Sequence, residues 1–429
     1  MMIASTNAPI QMIRPARSLV KKGHRFLHWF GLFIAVIAIV LMVLPLLKND
    51  ASLKWVKVGC LGVWLLVAVL QRPLWITKLD WRFWLLPCWL LLISLSGLFV
   101  DSVGLWENIG SILLFFICAF MYDYYASDRG ALTFLVITTL VTFVAGAVMS
   151  ITVLLINPMA ARLVTTGAYE DLATTGVGEF RFTYAIALLL PCLVMILASK
   201  QTPRWVRIAV LVISLCFLYY QYLASFAMAI IVCMIGIALS GIFLIRRRNI
   251  RNWVFTLAGV CVLLFLMGFT SEFFNTISER LDNETLARKA HELSMIGKDT
   301  SIDASMDLSK RWDQYAMSLN TFAEHPLIGV GPYMNYEQAR IFGISMHSEW
   351  LDMLARFGLC GALPFLYLFI SLLRKANHPL RHTPYGKLIT AQILILLALG
   401  LMNPILGISE IGVVIFLLWY SLPLVCGLT

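Results

Sequence analysis

The chain has 429 residues, of which 60% are hydrophobic and 13% charged, and its formal net charge is +10. Soluble domains carry roughly a quarter charged residues, so a water-soluble fold has nowhere to put this much apolar surface. Strand-sized segments of alternating polarity are absent, which excludes a membrane barrel.

Apolar runs of about twenty residues recur along the chain, each long enough to cross about 30 Å of hydrocarbon as a helix with its own backbone hydrogen bonds satisfied. Residues 1–25 are basic and lead into the first run, 26–47. That run is too long for a signal-peptide core and no small-residue cleavage site follows it, so it reads as a retained first helix. Further runs follow at 53–70, 83–100, 106–122, 131–156, 182–198, 205–222, 225–245, 252–270, 349–373, 386–402 and 408–426. This predicts an all-α polytopic membrane protein of about 12 transmembrane helices with one large external loop that itself contains helices. The organisation expected is a membrane bundle over 1–270, a catalytic loop over 271–348 and a second membrane bundle over 349–429.

Alternating sides places twenty Lys/Arg and three Asp/Glu with the amino terminus, including Arg246, Arg247, Arg248 and Arg251. Such asymmetry is the positive-inside pattern. It puts both termini in the cytoplasm and explains the basic charge as orientation, without nucleic acid as a partner. All nine cysteines fall in apolar runs, which excludes a disulfide framework in the long loop and marks them as small core residues.

Two segments lie on the opposite, external side. The shorter, 157–181, is rich in Gly and Thr and reads as irregular backbone. The longer, 271–348, predicts an amphipathic surface helix over 272–293 and a second helix capped by Asp307 or Ser309. The second helix ends at Pro326, because the residue before proline is pushed out of the helical region.

Three histidines stand on the external side: His291, His325 and His347. Their spacing lacks the convergence a zinc site needs, and no metal or cofactor is expected. His347 precedes an apolar run that holds Glu349, Asp352 and Arg356. A neutral imidazole is the natural acceptor of a proton near neutral pH, so His347 is the candidate general base. Asp352 and Arg356 are four apart on one helical face and are expected to pair, bracing the helix beneath the histidine together with Glu349. The external arginines Arg162, Arg181, Arg280, Arg288, Arg311 and Arg340 stand against a general depletion of bases there. Their planar forks suit phosphate oxygens. Arg311 and Arg181 are the leading candidates, and Arg280 and Arg288 fall on the expected surface helix.

The stretch H-S-E-W-L-D-M-L-A-R-F-G-L-C-G, His347 to Gly361, resembles the signature of the O-antigen ligase family: His, then Asn/Ser/Gln, nine residues, Gly, two residues, then Gly/Thr/Tyr. Ser309 to Pro332 resembles the external loop of the wider ligase/polymerase superfamily, with an arginine, an aromatic, His-Pro and a Gly-x-Gly turn. Where many members carry Ser-Arg-Gly at the start of a mid-chain helix, this chain has Ala224-Ser225-Phe226-Ala227. The second phosphate-binding arginine is therefore unassigned, with Arg181 preferred and Arg162, Arg280 and Arg288 behind it.

The resemblance implies a GT-C-like glycosyltransferase of the bacterial inner membrane with a periplasmic active site. It would move O-antigen polysaccharide from undecaprenyl pyrophosphate to lipid A–core, with inversion, among membrane lipids and without a metal. His347 would be the base, and arginines would stabilise the pyrophosphate. An O-antigen polymerase or a protein O-oligosaccharyltransferase shares the same motifs and remains open. A lipid-linked oligosaccharide transporter is the alternative of another class, opposed by the sparse charge within the spans. A purely structural role leaves the external arginines and the histidine motif unexplained.

Overall fold

The computed structural model describes residues 22–48, 50–99, 105–166, 175–245, 307–332 and 336–427. The described elements are helical, with no strand among them. The expected surface helix at 272–293 and the expected span at 252–270 lie outside the described residues, as do Arg280, Arg288 and His291.

Each of the other eleven expected runs coincides with a helix. In chain order these are α1 (Lys22–Val43), α2 (Lys54–Gln71), α3 (Trp81–Phe99), α4 (Leu105–Tyr125), α5 (Arg129–Ile156), α6 (Phe180–Ala198), α7 (Arg204–Ala224) and α8 (Ala227–Leu244). After α9 (Asp307–Glu324) follow α10 (Glu349–Asn377), α11 (Pro384–Met402) and α12 (Ser409–Val413). The last passes through a π turn, Val414–Leu418, into α13 (Trp419–Val425). Among the described residues six helices are long and apolar enough to cross a membrane, and several shorter apolar helices accompany them. The chain is a multi-pass membrane protein.

Side-chain placement follows from the solvent. Val141 and Leu155 on α5, Leu211 and Leu215 on α7, and Leu394 and Leu401 on α11 are exposed. Lipid tolerates such outward apolar faces and water does not. Several hydroxyls inside the spans return to their own helix: Thr139 Oγ1 donates to Leu135 O at 2.6 Å and Ser150 Oγ to Gly146 O at 2.6 Å. That removes donors that would otherwise be orphaned in a dry interior.

α6 is the central helix, with Leu188, Leu189 and Leu190 fully buried. It packs against α7, α8 and the carboxyl-terminal helices, and Trp419 Nε1 donates to Leu188 O at 3.1 Å. The Phe182 ring of α6 lies over Gly146 of α5, where a Cβ would come within 2.8 Å of Phe182 Cζ.

The cysteines divide in a way the apolar pattern does not reveal. Cys118, Cys192 and Cys233 are buried, whereas Cys88 and Cys360 are exposed on outward faces. The expectation of uniformly core cysteines is corrected there: an apolar residue in a membrane span has two places to go, protein or lipid. The segment after α5 also differs from an irregular loop, since Ala160–Thr166 forms a short helix.

Candidate active site

The site is built on a break in α10. Gly358 has φ 55° and ψ −166°, a conformation suited to glycine, and it divides α10 into an arm, 349–357, and a shaft, 359–377. The bend is sharp. The rings of Trp350 and Phe369 are 6.1 Å apart, although nineteen residues of straight helix would separate them by about 28 Å.

A break leaves backbone groups without partners, and the turn after α9 supplies them. In a continuous helix the N–H groups of Leu359 and Cys360 would bond Ala355 O and Arg356 O. Here Leu359 N donates to Pro326 O at 2.9 Å and Cys360 N to Leu327 O at 3.0 Å. The freed carbonyls are taken by the same turn: Val330 N donates to Ala355 O at 3.0 Å and Gly331 N to Arg356 O at 2.9 Å. The fit leaves no room for side chains. A Cβ on Gly329 would lie 2.3 Å from Arg356 O, and one on Gly358 would lie 2.3 Å from Leu327 C. The two sequence motifs, His325–Gly331 and His347–Gly361, thus meet backbone to backbone.

α9 lies along the arm. It stops at Glu324, before Pro326. Its outer face carries the exposed Trp312, and its inner face the buried Ser318 and Thr321. Thr321 Oγ1 donates to Gly343 O at 2.8 Å, holding the approach to the histidine turn.

That turn, 345–348, is organised by Asp352. The Asp352 side chain is 4% exposed. Its Oδ1 accepts from Ser318 Oγ at 2.6 Å and from Ser345 Oγ at 2.7 Å, and its Oδ2 accepts from Ser348 N at 3.1 Å. Ser318 Oγ accepts from Ser345 N at 2.9 Å, and Ser345 Oγ accepts from His347 N at 3.2 Å. Ser348 caps the arm by accepting from Leu351 N. Met346, just before the histidine, has φ 60°, a left-handed conformation that costs a residue with a side chain about 1–3 kcal/mol.

The expected Asp352–Arg356 pair is not formed. Arg356 donates to Met346 Sδ, and its Nε is buried without a hydrogen-bond partner. The bend at Gly358 is the reason: it swings the arm across α9, so that Asp352 meets serines and backbone N–H groups. The charges pack against protein and have no need to pair within lipid. Glu349 does not brace the histidine directly either. Its Oε2 accepts from Ile405 N and Leu406 N, both at 2.8 Å, which fastens the arm to the connection between α11 and α12.

A second charged group lies along that connection. Lys48 Nζ pairs with Glu410 Oε1 at 2.5 Å and Glu179 Oε1 at 3.1 Å, and Glu410 is 1% exposed. Arg181 Nε meets the same Glu179 Oε1 at 3.4 Å while 45% of its side chain is exposed, its guanidinium 5.5 Å from the Phe180 ring centre. Burial pushes the Glu179 carboxyl up, but Lys48 and Arg181 outweigh it and hold the group below the usual carboxylate range. Contacts therefore run from the arm through residues 405–410 to Lys48, Glu179 and Arg181. Lys48, Glu179 and Glu410 stand far apart in the sequence at three helix ends, and Lys48 lies close to Lys54 and Lys57, so no local pattern marks the cluster.

Arg162 sits at the 224–227 stretch. Its Nη2 donates to Ser225 O at 3.0 Å and its guanidinium lies 5.7 Å from the Phe226 ring centre. Ser225 takes φ 55° between α7 and α8. Arg311 falls within α9, seven residues before Ser318. His325 and Arg340 are exposed. Among the described residues no three His, Cys, Asp or Glu side chains gather as a metal-ligand set.

Residues 209–366 match a family model described as O-antigen ligase. The match runs from α7 to just beyond the break in α10 and includes both motifs. No curated protein matches the chain.

Proposed function

We propose, from the premise that this chain is a member of the O-antigen ligase/polymerase superfamily, that it is an O-antigen ligase. In this reading it transfers polysaccharide from undecaprenyl pyrophosphate to a sugar hydroxyl of lipid A–core, on the periplasmic face of the inner membrane. The observation that supports it most is the backbone joint between the 325–331 turn and the break at Gly358. It makes the two motifs one structural unit with His347 at its edge.

His347 accepts the proton of the acceptor hydroxyl as that oxygen attacks the anomeric carbon, and the bond to the pyrophosphate breaks on the opposite face with inversion. General-base assistance of this kind contributes about 10²- to 10⁴-fold. The leaving pyrophosphate carries the developing charge. Arg181 meets Glu179 at Nε, which leaves its terminal N–H groups available for this charge. Arg162 at the 224–227 stretch and Arg311 on α9 are the further candidate arginines of the donor site, with Arg280 and Arg288 behind them. Fixed guanidinium donors in a water-poor site stabilise such charge at no reorganisation cost.

The test is complementation of a ligase-deficient Gram-negative strain, read on a lipopolysaccharide gel. Wild type restores the ladder and His347→Ala loses it. A ladder from both removes His347 from the mechanism. With a matched donor, no ladder from well-expressed wild type assigns the chain to polymerisation or protein glycosylation.

A further inference from the structure

We propose that Asp352 is a positioning residue for His347, acting through two serine hydroxyls. The inference rests on His347 being the base.

Each serine hydroxyl has one hydrogen to give. Ser318 and Ser345 both give theirs to Asp352 Oδ1. With their hydrogens committed, both oxygens become acceptors for backbone N–H groups, Ser318 for Ser345 N and Ser345 for His347 N. The other carboxylate oxygen takes Ser348 N. A single carboxylate therefore ties the backbone on both sides of His347 and sets the direction of the two serine-to-backbone hydrogen bonds in the turn. It also holds Met346 at its left-handed φ of 60°, where an untied turn would relax towards an ordinary conformation and move the imidazole. Asp352 makes no hydrogen bond or ion pair with the imidazole, so it acts on the reaction through the backbone it ties, the turn that carries His347 and, through Ser318, α9.

An amide cannot reproduce this pattern. In Asp352→Asn the carboxamide oxygen can keep the two hydroxyls, but its nitrogen then faces Ser348 N–H, donor against donor. Reversed, it accepts from Ser348 N and loses both hydroxyls as donors to it.

The experiment uses the full chain in lipid nanodiscs, with a lipid-pyrophosphate-linked oligosaccharide as donor and lipid A–core as acceptor. It measures kcat, KM for each substrate and the melting midpoint for wild type, Asp352→Asn, His347→Ala and the double variant. The expected result is a kcat lowered at least tenfold in Asp352→Asn, as small misplacements of a reacting group produce, with both KM values within about threefold. The melting midpoint falls by only the few degrees that one frustrated buried hydrogen bond costs, and the double variant is no slower than His347→Ala, because a residue acting through the base has nothing left to position. Wild-type kcat in Asp352→Asn overturns the proposal, as does a double variant slower than His347→Ala by the full factor of the single change. Should Asp352→Asn fail to fold, Ser345→Ala carries the same readouts, since it deletes only the hydroxyl between the carboxylate and His347 N. A fully active His347→Ala overturns the base assignment itself, and so separates failure of that reading from failure of this one.

Discussion

α6 and α10 are interrupted helices that respond in opposite ways. α6 contains Pro191 and continues as a helix to Ala198, its faces filled by buried leucines. α10 contains Pro364 and continues past it as well, yet folds sharply at Gly358. The residue that usually breaks a helix does not do so in either case. What distinguishes Gly358 is that the 325–331 turn gives the broken backbone four new hydrogen bonds. A membrane helix bends where another segment takes over its orphaned N–H and C=O groups. The central helix is held by many interchangeable apolar contacts, and the arm by a few directional bonds. Losses should therefore be graded in α6 and abrupt in the arm.

The largest loss of stability is expected at the head of α6. Lys48→Met leaves Glu410 as a buried carboxylate without its cation and Glu179 with Arg181 alone, which costs about 3–5 kcal/mol. A lowered melting midpoint in detergent checks this, and an unchanged midpoint would show that the cluster does not hold α6 in place. Gly358→Ala is next. The backbone region alone costs about 1–3 kcal/mol, and the added Cβ must push the 325–331 turn away. The ladder should disappear while the bundle stays folded, as judged by helical circular dichroism. Retention of both would show that the arm tolerates an alternative path.

Acid provides a milder probe of the α6 end. Glu179 is held below the ordinary carboxylate range by Lys48 and Arg181, so its contribution is present above the unfolded value of about 4.3. That contribution is lost as pH falls through the lower folded value. The melting midpoint should be flat from neutral pH to about 5 and fall below about 4, with a shallower fall in Glu179→Gln. Equal slopes in the two proteins would remove Glu179 as a source of acid sensitivity. The smallest effect belongs to Trp89→Phe, which deletes the 2.8 Å hydrogen bond to Gly361 O. It should cost about 1 kcal/mol with transfer retained.

The arginines show how far reading along the chain reaches. Arg181 and Arg162 are visible as bases on a base-poor side, but their anchors are not. Glu179 lies two residues before Arg181, whereas Ser225 O and the Phe226 ring belong to a connection far from Arg162. Asp352 is visible as a charge near His347. Its spacing from Arg356 points to the wrong partner, because a spacing of four residues implies a pair only while the helix is isolated and facing lipid.

The amino-acid sequence by itself determined that the chain is a helical, multi-pass membrane protein, where its apolar helices lie, and that His347 to Gly361 is a distinct polar-to-apolar motif. These are properties of local composition and period, which each segment carries alone. Only the tertiary structure decided that α10 breaks at a glycine and passes straight through its proline. It also decided that Asp352 serves the histidine turn and that Lys48 binds Glu179 to Glu410. Each of these depends on donors and acceptors brought together from separate segments, and a buried polar group takes the partner that the fold places within hydrogen-bonding distance.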